Sequence, residues 1–253
     1  MRLRDRFTLD DKTVIVTGAS SGLGRACATG LAELGANIVA VARRAGRLDE
    51  TVVEVERLGR RCVAVSGDVS EPSDCERAVA RALDAFGAVD VLINNAGIAS
   101  AVPATREPPE AFRRVIDVNL SGAYFMAQSC GRVMLPGSSI VNVSSVVGST
   151  TVGLPQAAYV ASKTALLGLT RDLAQQWTGR KGIRVNAVQP GFFESEMSHD
   201  YPEGYLERIL ERIPAGRTGA LDEIVATIAF LASDAASYVS GATLAVDGGL
   251  LTG

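Results

Sequence analysis

Histidine is almost absent from this sequence: His199 is the single one in 253 residues. Four cysteines, Cys27, Cys62, Cys75 and Cys130, are scattered, with no C-x-x-C pair and no histidine beside them. That spacing argues against a zinc centre and offers no disulfide framework, so the expectation is no metal and ordinary small thiols. No run of about 18 apolar residues occurs, so no segment reads as a membrane span. The charged residues 1–11 lack the apolar stretch of a secretory signal. A soluble, cytoplasmic protein is the default expectation. Lysine is scarce as well. The basic residues are nearly all arginine, and only Lys12, Lys163 and Lys181 break that rule. The net charge of −3 gives no sign of a nucleic-acid partner.

What is present is apolar residue, 47% of the chain, enough for one large core and short for two independent domains. Short runs rich in Val and Ile occur at 13–17, 37–42, 62–66, 89–94, 139–143, 184–189 and 243–246. Most show little alternation, as expected of parallel strands covered on both faces. Helical patterns lie between them at 23–34, 47–58, 72–86, 109–134, 156–178 and 222–233. Gly35, Gly59, Gly87 and Gly179 stand at or just past the expected helix ends, where a left-handed residue is useful. Strand–helix repetition of this kind predicts an α/β fold: a single doubly wound, Rossmann-like domain over residues 1–253, with a seven-stranded parallel sheet flanked by helices on both faces. The least regular stretch, 192–217, leaves a late strand at its carboxyl end, where open α/β sheets bind ligands. It is expected to form a substrate lid.

The first strand runs into Thr17-Gly18-Ala19-Ser20-Ser21-Gly22-Leu23-Gly24. Here Gly18 permits a sharp exit from the strand, Gly22 lets backbone N–H groups approach a pyrophosphate, and Gly24 lets the helix lie close to the sheet. Taken alone, the loop also fits a plain turn. The second strand ends at Ala42-Arg43-Arg44, where an NAD-binding unit usually has a carboxylate for the ribose hydroxyls. Its absence, followed by two guanidinium groups suited to a 2′-phosphate, favours NADP(H) over NAD(H), with Arg43 the better candidate. The alternative, ranked second, is that both arginines are solvated surface charges. Asp68, followed by Val69, ends the third strand and can accept from an adenine amine; it could equally be a turn aspartate, though Ser70 or Ser73 suits helix capping better.

Tyr159-Val160-Ala161-Ser162-Lys163 places a phenol and an ammonium one helical turn apart on one face. A phenol titrates near 10, and lowering it by about three units takes roughly 4 kcal/mol of differential stabilisation of the phenolate. A nearby cation in a water-poor site has the required sign. Ser144-Ser145 closes the strand before this helix, and a hydroxyl there can polarise a carbonyl. Asn119 interrupts an otherwise good helix and marks a local break that holds water. Each of these has a bland reading by itself: a surface pair, a Ser-rich turn, an exposed asparagine.

Together they do not stay bland. The chain resembles the short-chain dehydrogenase/reductase family, in its compact one-domain subclass, over nearly its whole length. The resemblance rests on Thr17-Gly18-x-x-x-Gly22-x-Gly24, Asp68-Val69, Asn94-Asn95-Ala96-Gly97, Asn119, Ser145, Tyr159-x-x-x-Lys163, Pro190-Gly191 and Val246-Asp247-Gly248-Gly249. It implies that Tyr159 exchanges the proton with the substrate oxygen and Ser145 holds that oxygen. Lys163 binds the nicotinamide ribose and acidifies Tyr159, and Asn119 anchors a water relaying to Lys163. Gly18, Ser20, Ser21, Gly22, Leu23 and Gly24 hold the pyrophosphate, while Asn95, Ala96 and Gly97 shape the adenosine-ribose wall. Pro190 and Gly191 border the nicotinamide. Ser195 stands where the family often has threonine. The implied activity is hydride transfer between a nicotinamide cofactor and a ketone or secondary alcohol.

The expected pocket stretches, 97–100, 146–155 and 192–212, carry Val147, Leu154, Phe192, Phe193, Met197, Tyr201 and Tyr205, an apolar and aromatic bias. His199 reads as a loop residue. Reductases of 3-oxoacyl-carrier proteins are similar but tend to carry basic residues for their acidic carrier. The matching stretches here, Leu135-Pro136-Gly137-Ser138 and Ala174-Gln175-Gln176-Trp177, lack that charge, which ranks a free small molecule first. A non-catalytic NAD(P)-sensing protein on the same fold is expected to lose the tyrosine or the lysine, and this chain keeps both. A sugar-nucleotide epimerase usually has a larger C-terminal domain, for which about 60 residues after Gly191 leave little room. An enoyl reductase is disfavoured because that branch spaces its tyrosine and lysine further apart. The long helical stretches 109–134 and 156–178 look too apolar for one buried face each. Leu166, Leu169, Leu173 and Trp177 form one stripe, whose plain reading is packing on the sheet, while the family pattern implies a homotetramer with these helices paired across a two-fold axis.

Overall fold

The structure is a computed structural model and describes residues 2–193 and 202–252. Seven strands, β1 (Thr13–Thr17), β2 (Asn37–Ala42), β3 (Cys62–Ser66), β4 (Val91–Asn94), β5 (Ser139–Val143), β6 (Arg184–Pro190) and β7 (Thr243–Val246), form one parallel sheet in the order β3-β2-β1-β4-β5-β6-β7. The Val/Ile runs become strands because each face of the sheet is covered. Val14 and Val16 of β1 join one apolar cluster, whereas Ile15 joins the other. Helices α1 (Gly22–Glu33), α2 (Ala45–Arg57) and α8 (Leu221–Ala232) supply the first cluster. Helices α3 (Pro72–Phe86), α5 (Gly122–Val133) and α6 (Ala157–Lys181) supply the second. A short helix α7 (Tyr205–Leu210) lies in the stretch after β6. No described helix is long and apolar enough to cross a membrane.

The expected helix at 109–134 is two helices with a wider turn between them. α4 (Pro109–Ile116) passes into a π-helical turn, Asp117–Ser121, and then into α5. Asn119 sits in that turn, so the break read from its poor helix propensity is real. A second difference concerns the end of α6. Gly179 lies inside the helix, which continues to Lys181 and is closed by Gly182 in the left-handed conformation (φ 66°). A side chain at 182 would also strike Pro136. Gly35, Gly59 and Gly87 do take positive φ, as expected.

The leucine stripe of α6 is core rather than free surface. Leu166 and Leu173 are fully buried, Leu169 is partly buried against the same sheet face, and Trp177 lies on Gly131 of α5. At the opposite end of the sheet from the site, the buried Arg184 donates to the carbonyls of Leu231 (2.8 Å) and Ser233 (3.0 Å), closing the carboxyl end of α8. α8 in turn packs against α1, where Gly30 leaves room for Val225. The helix that follows the glycine loop is thereby fixed from behind.

Candidate active site

The chain reverses its winding direction between β1 and β4, and the crevice at a reversal of this kind opens at the carboxyl ends of the strands. Thr17, the last residue of β1, ties the two sides together. Its Oγ1 accepts from the N–H groups of Asn95 and Ala96, both at 3.0 Å, and Asn95 Nδ2 donates to the Thr17 carbonyl at 2.9 Å. Asn95, Ala96 and Gly97 are thus held beside the glycine loop. Within that loop Gly18 has φ 68°, and a Cβ at Gly24 would lie 2.2 Å from the Gly18 carbonyl oxygen, so only glycine allows this approach. Gly22 has φ 50° with open space where a Cβ would stand. Ser21 precedes α1 without capping it through its side chain. A glycine-bared backbone entering a helix N-terminus suits a pyrophosphate, and the residues present fit a dinucleotide.

Lys163 is 4% exposed, and its Nζ donates to the carbonyl of Val143, the last residue of β5, at 2.8 Å. Burial lowers its pKa from 10.5 to about 8. The ammonium lies 5.6 Å from the centre of the Tyr159 ring. The two serines after β5 divide their work. Ser144 is buried and donates to the Lys163 carbonyl at 2.7 Å, while Ser145 begins the next turn, its Oγ accepting from Val147 N at 3.4 Å. Lys163 is therefore gripped at both its backbone and its head group.

Asn119 joins this arrangement from the π turn. Its carboxamide accepts from Ile98 N (2.8 Å) and donates to Ile98 O (2.9 Å) and Ser162 Oγ (3.0 Å). Ser162 Oγ donates to the Tyr159 carbonyl. A Cβ at Gly97 would stand 3.3 Å from Asn119 Oδ1 and 3.5 Å from Lys163 Nζ, so the Asn95–Gly97 segment, the π turn and the lysine meet at one point. Behind them runs a buried chain that sequence reading missed: Asn94 Nδ2 donates to Asn142 Oδ1, and Asn142 Nδ2 donates to Thr170 Oγ1. Asparagine inside the Val/Ile runs of β4 and β5 was the available signal.

The Tyr159 ring packs against an apolar cluster of Val146, Val147, Val152, Phe192, Tyr205, Ile209, Ile213 and Leu250, with Leu154 partly buried beside it. Val147, Leu154, Phe192 and Tyr205, read as pocket-lining from the sequence, gather in or against this buried cluster. Phe193 packs against the other cluster, over Gly219, and lines a cavity with Phe192 and Asp247. Ile209, Ile213 and the C-terminal Leu250 were missed. Met197, His199, Tyr201 and the cofactor candidate Ser195 lie outside the described residues. Pro190 ends β6, and Gly191 abuts the backbone of Asp247, which a side chain at 191 would strike.

The adenosine side lies at the ends of β2 and β3. Arg43 is exposed, and Arg44 Nη2 donates to Ser21 Oγ (2.9 Å) and Ser20 Oγ (3.3 Å), folding over the glycine loop. Asp68 is a turn residue at β3, paired with Arg114 and Ser70. Helix α3 begins after Glu71 with no side-chain cap, so neither Ser70 nor Ser73 serves as the N-cap.

Residues 18–251 match a family model described as enoyl-(acyl carrier protein) reductase. The L-rhamnose 1-dehydrogenase (NAD(P)(+)) of Sphingomonas sp. (strain SKA58) is 41% identical over 248 residues, covering 96% of this chain and 97% of that protein. The chain belongs to the short-chain dehydrogenase/reductase family. A 3-oxoacyl-[acyl-carrier-protein] reductase of Thermotoga maritima is 40% identical, covering 96% of this chain and 99% of its own. The crystal structure of a short chain dehydrogenase from Burkholderia cenocepacia J2315 in complex with NADP superposes with a TM-score of 0.91 at 32% identity, covering 96% of this chain and 99% of that one. This member of the short-chain dehydrogenase/reductase family is an NAD(P)-dependent oxidoreductase that interconverts alcohols and ketones.

The burial of Lys163 has a measurable signature. Unfolding returns the amine to its ordinary value of 10.5, so between about pH 8 and that value the unfolded chain binds more protons than the folded one. Stability from this group rises with pH across that window and is flat below it. Urea titrations should show the wild type gaining on the order of 3 kcal/mol relative to Lys163→Met from pH 7.5 to 10.5. A pH-independent difference would contradict a buried amine.

Proposed function

We propose that the protein is an NADP(H)-preferring, cytoplasmic dehydrogenase/reductase acting on a free ketone or secondary alcohol with an apolar flank. The observation carrying this reading is the Tyr159 ring set between the buried Lys163 ammonium and the apolar cluster around Phe192 and Tyr205. In the reducing direction, Tyr159 Oη gives its proton to the carbonyl oxygen as that oxygen gains charge. The Ser145 hydroxyl donates to the same oxygen. The Lys163 ammonium stabilises the phenolate left behind and binds the nicotinamide ribose. Asn119, its carboxamide held by Ile98 and Ser162, anchors a water that relays protons to Lys163. A bound nicotinamide supplies the hydride.

Gly18, Ser20, Ser21, Gly22, Leu23 and Gly24 hold the pyrophosphate. Asn95, Ala96 and Gly97 wall the adenosine ribose, Asp68 and Val69 take the adenine, and Pro190, Gly191 and Ser195 border the nicotinamide. Arg43, exposed at the end of β2 where Ala42 replaces the usual carboxylate, takes the 2′-phosphate, with Arg44 beside it. The NADP bound in the Burkholderia relative supports that choice.

The Thermotoga relative favours a second reading, a 3-oxoacyl-carrier-protein reductase. The stretch before β5 speaks against it: Leu135, exposed and apolar, stands where an acidic carrier calls for a cation. Enoyl reduction is opposed by the three-residue gap between Tyr159 and Lys163. Free thiols at Cys27, Cys62, Cys75 and Cys130 suit a reducing compartment. For the homotetramer, the exposed Phe112 and Tyr124 of α4 and α5 offer apolar surface in place of the buried leucine stripe.

A screen of ketones and secondary alcohols with both cofactors, read at the reduced-nicotinamide absorbance band, identifies the substrate. On that substrate Tyr159→Phe is expected to abolish turnover while cofactor affinity stays within about twofold of wild type. Retained turnover would reject the phenol as proton donor. Arg43→Ala should raise KM for NADPH by about tenfold or more, the scale of one charge-assisted contact, and leave KM for NADH nearly unchanged. An equal effect on both would show that Arg43 does not read the phosphate.

A further inference from the structure

Arg114 has no part in the chemistry above, and its contacts are unusually directed. It lies on α4, one turn before the π turn that carries Asn119. Its side chain crosses to the end of β3, where Nη2 donates to Asp68 Oδ2 at 2.6 Å and Nη1 donates to Ser70 Oγ at 2.8 Å. Ser70 in turn donates to Asp68 Oδ1 twice, from its backbone N at 3.0 Å and from Oγ at 2.7 Å. The backbone of Asp68 is fixed separately, its N–H donating to Asp74 Oδ2 at 2.8 Å. Val69 presses on Gly122, where any side chain would strike its Cγ2 and carbonyl. The Asp68-Val69 step is thus clamped against α4 and α5 by a charge pair on one side and a close backbone approach on the other.

An ionised carboxylate has about four acceptor sites. Three at Asp68 are taken by Ser70 N, Ser70 Oγ and Arg114 Nη2, which leaves one. The carboxyl is ionised at neutral pH: burial opposes the charge, but the Arg114 and Ser70 donors outweigh it and draw the pKa down from 3.8 to about 2. A group in that state accepts hydrogen bonds and donates none. It suits a purine bearing an exocyclic amine and repels one bearing a carbonyl oxygen at the same place.

We infer that Arg114 is a positioning residue for the cofactor's adenine: through Ser70 and Asp68 it leaves one carboxylate acceptor facing the 6-amino group, and so makes the enzyme discriminate adenine from hypoxanthine dinucleotides. This rests on the assignment of the β3 end to the adenine, and it adds a residue 46 positions from Asp68 whose effect is confined to one functional group of the cofactor.

The test is calorimetric and needs no substrate. NADPH and its 6-deamino (hypoxanthine) analogue are titrated into wild type, Arg114→Met and Arg114→Lys. Wild type is expected to bind NADPH about tenfold more tightly than the analogue, the scale of one hydrogen bond to a charged group. Arg114→Met should weaken NADPH by a similar factor and leave the analogue within about twofold, so that discrimination disappears. Arg114→Lys, which retains a cation without the fork, should restore part of it. Equal weakening of both ligands by Arg114→Met would overturn the inference and leave Arg114 a structural brace, as would unchanged discrimination. Failure of wild type to bind either dinucleotide would instead overturn the cofactor assignment and take this inference with it. Thermal unfolding of each variant, read by circular dichroism, confirms that folded protein is being compared.

Discussion

A lysine ammonium sunk into the carboxyl edge of a parallel sheet is the constraint around which this site is built. Lys163 has lost most of its water, at a cost that shows as a pKa drawn down to about 8. It keeps one strong acceptor, the Val143 carbonyl, and an aromatic ring within cation–π range. A charge held this way is still present at neutral pH but is poorly screened, so its field acts on whatever stands next to it. What stands next to it is Tyr159, one helical turn back. The same pair on an exposed helix would be an ordinary surface contact.

The rest of the edge keeps that pair in place. Ser144 holds the lysine backbone, Asn119 and Ser162 hold the helix at Tyr159, and Gly97 leaves space for the Asn119 carboxamide and the ammonium together. Thr17 then couples the Asn95–Gly97 segment to the glycine loop. The glycine loop and the Tyr159–Lys163 pair are therefore parts of one hydrogen-bonded rim rather than separate features. The π turn is what brings α4 and α5 into it, and the same pair of helices clamps the Asp68-Val69 step at the far end of the crevice.

Much of this was legible in the sequence, for physical reasons that also explain the failures. Strands buried on both faces read as unbroken Val/Ile runs, so their positions were plain, and only the fourth began two residues later than expected. Asn119 was legible because asparagine is out of place inside a helix. The glycine that closes α6 was not. Gly179 and Gly182 look alike in sequence, and contact with Pro136 distinguishes them. The leucine stripe left packing on the sheet and pairing with another copy open, because the surface it packs against comes from elements distant in the chain. Phe192 and Phe193 are neighbours in extended chain and turn to opposite sides, so only one reaches the tyrosine cluster. Arg114 carried no local signal at all, since its meaning lies in a carboxylate 46 positions away.

The central claim is that Lys163 makes the Tyr159 phenol acidic, and the direct measurement is an ultraviolet difference titration of the NADP-bound protein against Tyr159→Phe. The account predicts one phenol that ionises well below the ordinary tyrosine value of about 10, absent in Tyr159→Phe and returned toward 10 in Lys163→Met. A Tyr159 that titrates together with the other tyrosines, whether or not Lys163 is present, would contradict it.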